Sequence, residues 1–300
     1  MTLFQAIILG IVQGLTEFIP VSSTAHLVFA SRAVDLYDGV EAALRAQQTT
    51  ATIAVVQLGT LLAVLIYFAR DIANITRAFI GDHLALLKRT NNRGLSNGRA
   101  SGKLSQDAVL GWLVIIGSVP VAFVGLLFKK QIEGTFTKNL WVIATMMIVI
   151  AVLLAIAEMV GKRNRAMADL RVGDALAMGF AQCLALIPGS SRSGSTIMAG
   201  LFADEMRETA ARFSFLLSIP AVLASGLLEL KEVLHKLPHG SYGSLAVATI
   251  VSGIVGYASI WFLLRYLRTH STGVFIAYRL IVGGLILAAL FKGFITAAVN

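Results

Sequence analysis

The sequence predicts an all-α integral membrane protein of about six transmembrane helices plus two re-entrant helical hairpins, organised as inverted-topology repeats. Three observations carry this. The 300 residues are 57% hydrophobic and only 14% charged, against the ~25% charge of globular domains. Six apolar segments have the length a bilayer crossing needs. Two further apolar regions are each interrupted at their centre by a proline followed by serines.

A bilayer core of ~30 Å requires about 20 apolar residues per helix. Thr52 to Ala69, Val109 to Phe128, Leu140 to Val160, Phe213 to Leu230, Ser244 to Leu264 and Val274 to Leu290 qualify. The other two regions, Met1 to Ala30 and Gly173 to Ala203, contain Pro20-Val-Ser22-Ser23 and Pro188-Gly-Ser190-Ser191. Proline removes a backbone donor and restricts the residue before it, which predicts helix breaks near Ile19 and Ile187. Two half-helices meeting at a polar break read as a hairpin, and irregular backbone survives at membrane depth only inside protein or beside a wet cavity.

The net charge of +9 comes from basic residues set in short segments between apolar runs. They form no continuous stripe, which argues against nucleic acid and for topology signals. With both hairpins re-entrant and the Arg70 to Asp107 loop inside, fifteen basic residues fall in cytoplasmic loops and eight outside, the bias expected of the cytoplasmic side. Both termini then lie outside. The stretch Asn91 to Gly102, rich in Asn, Gly, Ser and Arg, reads as a mobile cytoplasmic loop. The single cysteine, Cys183, excludes an internal disulfide and a Cys-rich metal cluster. The first basic residue is Arg32, so the apolar N-terminus lacks the leader of a signal peptide and is expected on the mature protein.

The broken segments resemble each other: Gly10-Ile-Val-Gln13 precedes the first proline, and Gly179-Phe-Ala-Gln182 the second. Each is followed by three spans, an odd number, so the second copy enters from the opposite face. One membrane domain therefore comprises residues 1–160 and 161–300 as inverted repeats, whose hairpins are expected to meet near mid-membrane.

Polar chemistry concentrates in those hairpins. The first carries Gln13, Glu17, Ser22, Ser23, Thr24 and His26; the second carries Gln182, Ser190, Ser191, Arg192, Ser193, Ser195 and Thr196. Ionisable groups at this depth are costly and point to function. Gln13 and Glu17 share a helix face. They either offer two oxygens to a hard cation, Mg²⁺ or Ca²⁺, or Glu17 pairs with an intramembrane arginine or caps a broken helix. His26 either exchanges a proton near neutral pH, attacks phosphorus, or is structural. Arg192 offers a planar fork suited to phosphate, and a returning half-helix starting at Ser195-Thr196 would aim its positive end at the same cavity. Arg279, beside Tyr278, needs a partner, Glu158 or a helix-end carbonyl. Gln57 either faces the site or bonds a neighbouring helix.

The residues Gln13-Gly-Leu-Thr-Glu17-Phe-Ile-Pro-Val-Ser-Ser-Thr-Ala-His26 and Pro188-Gly-Ser-Ser-Arg192-Ser-Gly-Ser-Thr196 resemble the paired motifs of bacterial undecaprenyl-diphosphate phosphatases of the bacitracin-resistance type, and the likeness runs along the whole chain. The resemblance implies hydrolysis of undecaprenyl diphosphate to the monophosphate and phosphate, recycling the lipid carrier of peptidoglycan synthesis and conferring bacitracin resistance. It implies a divalent metal, a multi-pass protein of the bacterial inner membrane with its site open to the periplasm, a polyprenyl diphosphate substrate among membrane lipids, and room for a homodimer. Residue by residue, it assigns Glu17 to metal and diphosphate, His26, Ser22 and Ser23 to attack or proton transfer, and Arg192 to the phosphates. Gln13 joins Glu17 at the metal, and Gln13, Thr24, Ser190, Ser191, Ser193, Gly194, Ser195 and Thr196 bind substrate. Many members of that family carry Glu at the position of Gln13. The rival reading is a polyprenyl-phosphate flippase or secondary transporter, because the same inverted repeats serve both.

Overall fold

Lipid requires each crossing segment to satisfy its own backbone hydrogen bonds, which apolar helices do. The computed structural model describes residues 1–37, 41–91, 104–128, 139–233 and 242–297. Among them lie eleven α-helices and a single isolated β-bridge, Arg165 to Glu205. In chain order these are α1 (Leu3–Phe18), α2 (Ser23–Ala33), α3 (Ala42–Tyr67), α4 (Ala69–Asn91), α5 (Gln106–Leu127), α6 (Leu140–Val160), α7 (Val172–Cys183), α8 (Arg192–Phe202), α9 (Arg207–Val233), α10 (Tyr242–Leu267) and α11 (Gly273–Phe291).

Five of these are long and apolar enough to cross a membrane: Gln47–Tyr67 within α3, then α5, α6, α10 and α11. The sixth expected span, 213–230, is helical throughout as part of the 27-residue α9. Several of its side chains towards the C-terminal end lie outside the described residues. Between spans the structure departs from the expected loop. Residues 69–91 form a helix rather than a loop, because Ile72 and Ile75 pack against the core one turn apart. The expected mobile loop lies, from residue 92 on, outside the described residues.

The two broken regions are helical hairpins. At ~1.5 Å per residue, the 16 and 11 residues of α1 and α2 and the 12 and 11 of α7 and α8 give limbs shorter than the ~30 Å core. Each hairpin returns to the side it started from. Gln5 Nε2, in the first turn of α1, donates to the Val34 carbonyl at the end of α2 at 2.8 Å. In the second, the Arg165 guanidinium holds both Asp174 in the first turn of α7 and the Ala203 carbonyl at the end of α8.

The first break falls where its proline predicts, while α7 ends at Cys183 and a 3-10 turn over Leu184–Leu186 carries the chain to Ile187 before the second proline. Ile19 and Ile187 are extended C-caps, with ψ of 134° and 119°, because each precedes a proline that bars the helical conformation. The returning limbs start from serines in the left-handed region, Ser22 at φ 79° and Ser191 at φ 66°. Such non-glycine residues cost of order 1–3 kcal/mol each and persist only where the surroundings fix them. Between Pro188 and Ser190, Gly189 (φ 93°) passes so close to α6 that a Cβ would lie 2.2 Å from the Ile143 carbonyl oxygen.

The packing follows a pattern. Helix α1 lies on α10 while α7 lies on α5; α3 lies on α10 while α9 lies on α5; α3 also meets α9, and α6 meets α11. Glycines permit the closest approaches: a Cβ on Gly59 of α3 would sit 2.0 Å from the Thr249 oxygen, and one on Gly179 of α7 would sit 2.2 Å from the Gly117 oxygen. The main core joins both halves, with Phe18, Phe68, Leu154, Ile197, Phe215 and Leu263 all buried in one cluster.

Candidate functional site

Glu17 stands in the last turn of α1, two residues before the break, and Arg192 is the first residue of α8. The hairpin tips therefore bring an acid and a guanidinium together from 175 residues apart, Arg192 Nη2 donating to Glu17 Oε1 at 2.6 Å. Their side chains are 14% and 7% exposed, so each charge depends on the other. Removing one partner of a buried pair typically costs about 3–5 kcal/mol. Three neutral donors complete the carboxylate: Gln57 Nε2 at 3.5 Å on the same oxygen, and Ser23 Oγ at 2.9 Å and Gln13 Nε2 at 3.1 Å on Oε2. Gln13 also reaches Thr60 Oγ1 at 3.4 Å. Of the sequence alternatives for Glu17, the arginine pair is present.

His26 does not touch that pair. Its Nδ1 lies 2.7 Å from the Ser22 carbonyl and its Nε2 lies 2.5 Å from the Tyr278 hydroxyl. A carbonyl only accepts, so Nδ1 carries the proton and Nε2 accepts from the tyrosine. The histidine is thereby fixed with its basic nitrogen turned towards Tyr278.

Arg279 joins the two tips. Wholly buried, it donates to five carbonyls: Pro20 at the first break, Gly189 and Ser190 at the second, and Met146 and Met147 of α6, all between 2.9 and 3.3 Å. Carbonyls, not Glu158, are its partners; Glu158 is held instead by Arg163, Arg207 and Thr272.

The remaining expected residues divide by what their side chains already bond. Ser190 donates to the Ile187 carbonyl, Ser191 Oγ caps the Gly194 amide and lies 3.2 Å from Ser193 Oγ, and Thr196 bonds Arg192 O and Ser214 Oγ. These hydroxyls build the turn. Thr24 is exposed. By contrast, Ser22 Oγ, Ser195 Oγ and Arg192 Nη1 are buried without a hydrogen-bond partner. Buried polar atoms normally have one, so these three are left unsatisfied by the protein's own groups. The returning half-helix begins at Arg192 rather than Ser195. Arg192 and Ser193 thus occupy the first turn, where amides have no acceptor within the helix and anions bind.

Glu17 and Arg192 line a narrow cleft with Thr60 and Ser218 on its polar side and Phe18, Leu61, Val64 and Val222 on its apolar side. Charge meets hydrocarbon there over a few ångströms. Sequence reasoning missed Thr60 and Tyr278 as members of the site. The one signal was position, Thr60 three residues after Gln57 and Tyr278 beside Arg279.

The donor set suits a hard cation only in part. Among the described residues no group of three or more His, Cys, Asp or Glu converges, and Gln13 turns its amide nitrogen, not its oxygen, towards Glu17. Mg²⁺ commonly takes one or two carboxylates and completes its shell with substrate phosphates and water. One carboxylate meets that requirement.

Residues 6–285 match the family described as bacitracin resistance protein BacA. A Syntrophobacter fumaroxidans protein named undecaprenyl-diphosphatase is 49% identical over 292 residues, covering 97% of this chain and 99% of the relative. Proteins of the same name from Chlorobium phaeobacteroides and Mycolicibacterium gilvum are 47% and 45% identical, each covering 99% of this chain and all of the relative.

Proposed function

The chain belongs to the bacitracin resistance protein BacA family, and on that membership and the site geometry we propose that it is a multi-pass membrane phosphatase converting undecaprenyl diphosphate to undecaprenyl phosphate and inorganic phosphate. The observation that carries this reading is the Glu17–Arg192 pair at the meeting point of the hairpin tips, beside an apolar wall. A lipid diphosphate needs both surfaces at once. The names of the relatives favour the phosphatase over a flippase.

In this reading the diphosphate takes the unbonded Nη1 of Arg192, the Ser195 hydroxyl and the first-turn amides of α8. The planar guanidinium and helix end offset charge developing on the transferring phosphoryl group, where electrostatics and positioning carry most of the catalysis. Ser22 Oγ and Ser23 Oγ lie at the tip from which attack would come, and His26, with Nε2 basic, takes or returns a proton. Glu17, its carboxylate braced by Gln13, would hold Mg²⁺ or Ca²⁺, and the ion when bound would supply Lewis-acid charge neutralisation.

The shared offsets and exchanged contacts of the halves support inverted repeats with the hairpins re-entrant. The lysine and arginine bias supports an inner-membrane protein with the Arg70 to Asp107 side cytoplasmic and the site open to the periplasm. Labelling of a cysteine placed at Asn97 from the cytoplasmic side only is the expected outcome; periplasmic labelling inverts the orientation.

The function is tested by phosphate release from undecaprenyl or farnesyl diphosphate by purified protein in detergent, with and without Mg²⁺ or Ca²⁺. The expected result is metal-dependent release that falls at least about 100-fold in Glu17→Ala, His26→Ala and Arg192→Ala. Unchanged turnover in all three removes the site assignment, and no release by the parent protein removes the phosphatase.

A further inference from the structure

Helix α4 has two unlike faces. On one, Ile72 and Ile75 pack on the core, the Phe79 ring lies 5.2 Å from Trp112, and His83 accepts from Trp112 Nε1 at 3.1 Å. On the other, Ile80, Leu84 and Leu87 are 53%, 52% and 66% exposed. At ~100° per residue these three fall within an arc of about 60°, and Arg77 and Lys88 follow on its edge. Both basic side chains are exposed.

The level of this face is fixed by α5. Asp82 Oδ2 accepts from the backbone amide of Ser105 at 2.7 Å, and Ser105 is the N-cap of the α5 span. Residue 82 therefore sits where a membrane-crossing helix begins, and Leu84, Leu87 and Lys88 lie at or just beyond that boundary. The two acids of α4 are both engaged elsewhere, Asp71 with Arg212 at 2.9 Å and Asp82 with Ser105. The outward edge presents positive charge alone.

An apolar stripe of this exposure in water is unfavourable, and a basic edge at headgroup level is complementary to phosphate. We propose that α4 lies in the headgroup layer of an anionic leaflet, with Ile80, Leu84 and Leu87 in the acyl boundary and Arg77 and Lys88 on lipid phosphates. The chain then gathers acidic lipid along the outward edge of α4.

The test uses the full chain with Cys183→Ala and Leu84→Cys, labelled with a small polarity-sensitive fluorophore, in nanodiscs of phosphatidylcholine and phosphatidylglycerol in which one lipid at a time is brominated in its acyl chains. Quenching by both lipids is expected, stronger from brominated phosphatidylglycerol at equal mole fraction. Enrichment of about fivefold per basic residue at low salt is expected, lost in Arg77→Gln/Lys88→Gln and at high salt. An unquenched probe places the stripe in water or against protein and overturns the proposal. Equal quenching by the two lipids overturns its anionic part, and protection that grows with protein per disc assigns the stripe to a second copy. The readout does not depend on phosphatase activity, which is assayed in the same discs.

Discussion

The two hairpins share a backbone and differ in chemistry. A constant offset of 169 residues relates Gly10 to Gly179, Gln13 to Gln182, Ser22 to Ser191 and Asp35 to Asp204. Ser22 and Ser191 both precede a returning limb with positive φ, and Asp35 and Asp204 both end one with φ of 47° and 63°. At the same offset Glu17 corresponds to Leu186, Ser23 to Arg192 and Leu36 to Glu205. The first hairpin thus holds the acid at the tip, the second the guanidinium, and neither contains both. The matched backbone places the two tips, and unlike residues at matched positions supply the charges.

Arg279 is the brace common to both tips, so its loss is expected to have the largest effect on stability. Arg279→Met leaves the Pro20, Gly189 and Ser190 carbonyls without their shared donor, at a cost of about 3–5 kcal/mol. Thermal unfolding in detergent should show it, with partial recovery in Arg279→Lys. A stability unchanged by the methionine would mean that the tips hold together without it.

Glu205 gives a pH test of the second hairpin. The side chain is wholly buried, and neither carboxyl oxygen has a hydrogen-bond partner. Burial first, then the neighbouring Asp174, push its carboxyl up to about 7, against the pull of Arg165. The folded state therefore keeps a proton that the unfolded state loses near 4.5. The associated stability is fully present below that value and lost as pH rises through about 7. Replacing Glu205 by leucine, as the first hairpin has at Leu36, is expected to raise stability at pH 8 by up to about 3 kcal/mol relative to its effect at pH 4. A pH-independent difference between the two proteins contradicts this assignment.

The smallest effect separates the paired glutamines. Gln13 bonds Glu17 and Thr60, whereas Gln182 is buried with neither its nitrogen nor its oxygen bonded. Gln182→Leu should stabilise by about 1–2 kcal/mol, because an unbonded buried amide is replaced by hydrocarbon. Gln13→Leu should destabilise and slow phosphate release, because Glu17 loses a donor. Equal responses would remove the distinction between the hairpins.

Much of this was readable in the sequence for a physical reason. Lipid makes charge expensive, so Glu17, His26 and Arg192 stood out in apolar surroundings; Pro20 marked its break to the residue, and Pro188 marked the end of the 3-10 turn that follows α7. Register was harder. Aligning the halves on their prolines displaces them by one, since Ile19, not Pro20, is the counterpart of Pro188 at the offset of 169. The start of α8 was misread in the same region because Gly189 and Ser191 adopt positive φ, which composition does not announce. Helix α4 was hidden by its charges, which suggest a loop until its apolar spacing is counted. The carbonyl cage of Arg279 has no sequence signal beyond the need of a buried cation for partners.

The central claim is that the two hairpins make one phosphate site, and a double-mutant cycle on Glu17 and Arg192 tests it most directly. With phosphate release from farnesyl diphosphate as the readout, Glu17→Gln and Arg192→Gln are each expected to lower kcat/KM by at least about 100-fold, with the double variant no worse than the weaker single. Losses that multiply to ~10,000-fold in the double variant would contradict it, because residues acting in one unit do not add their effects.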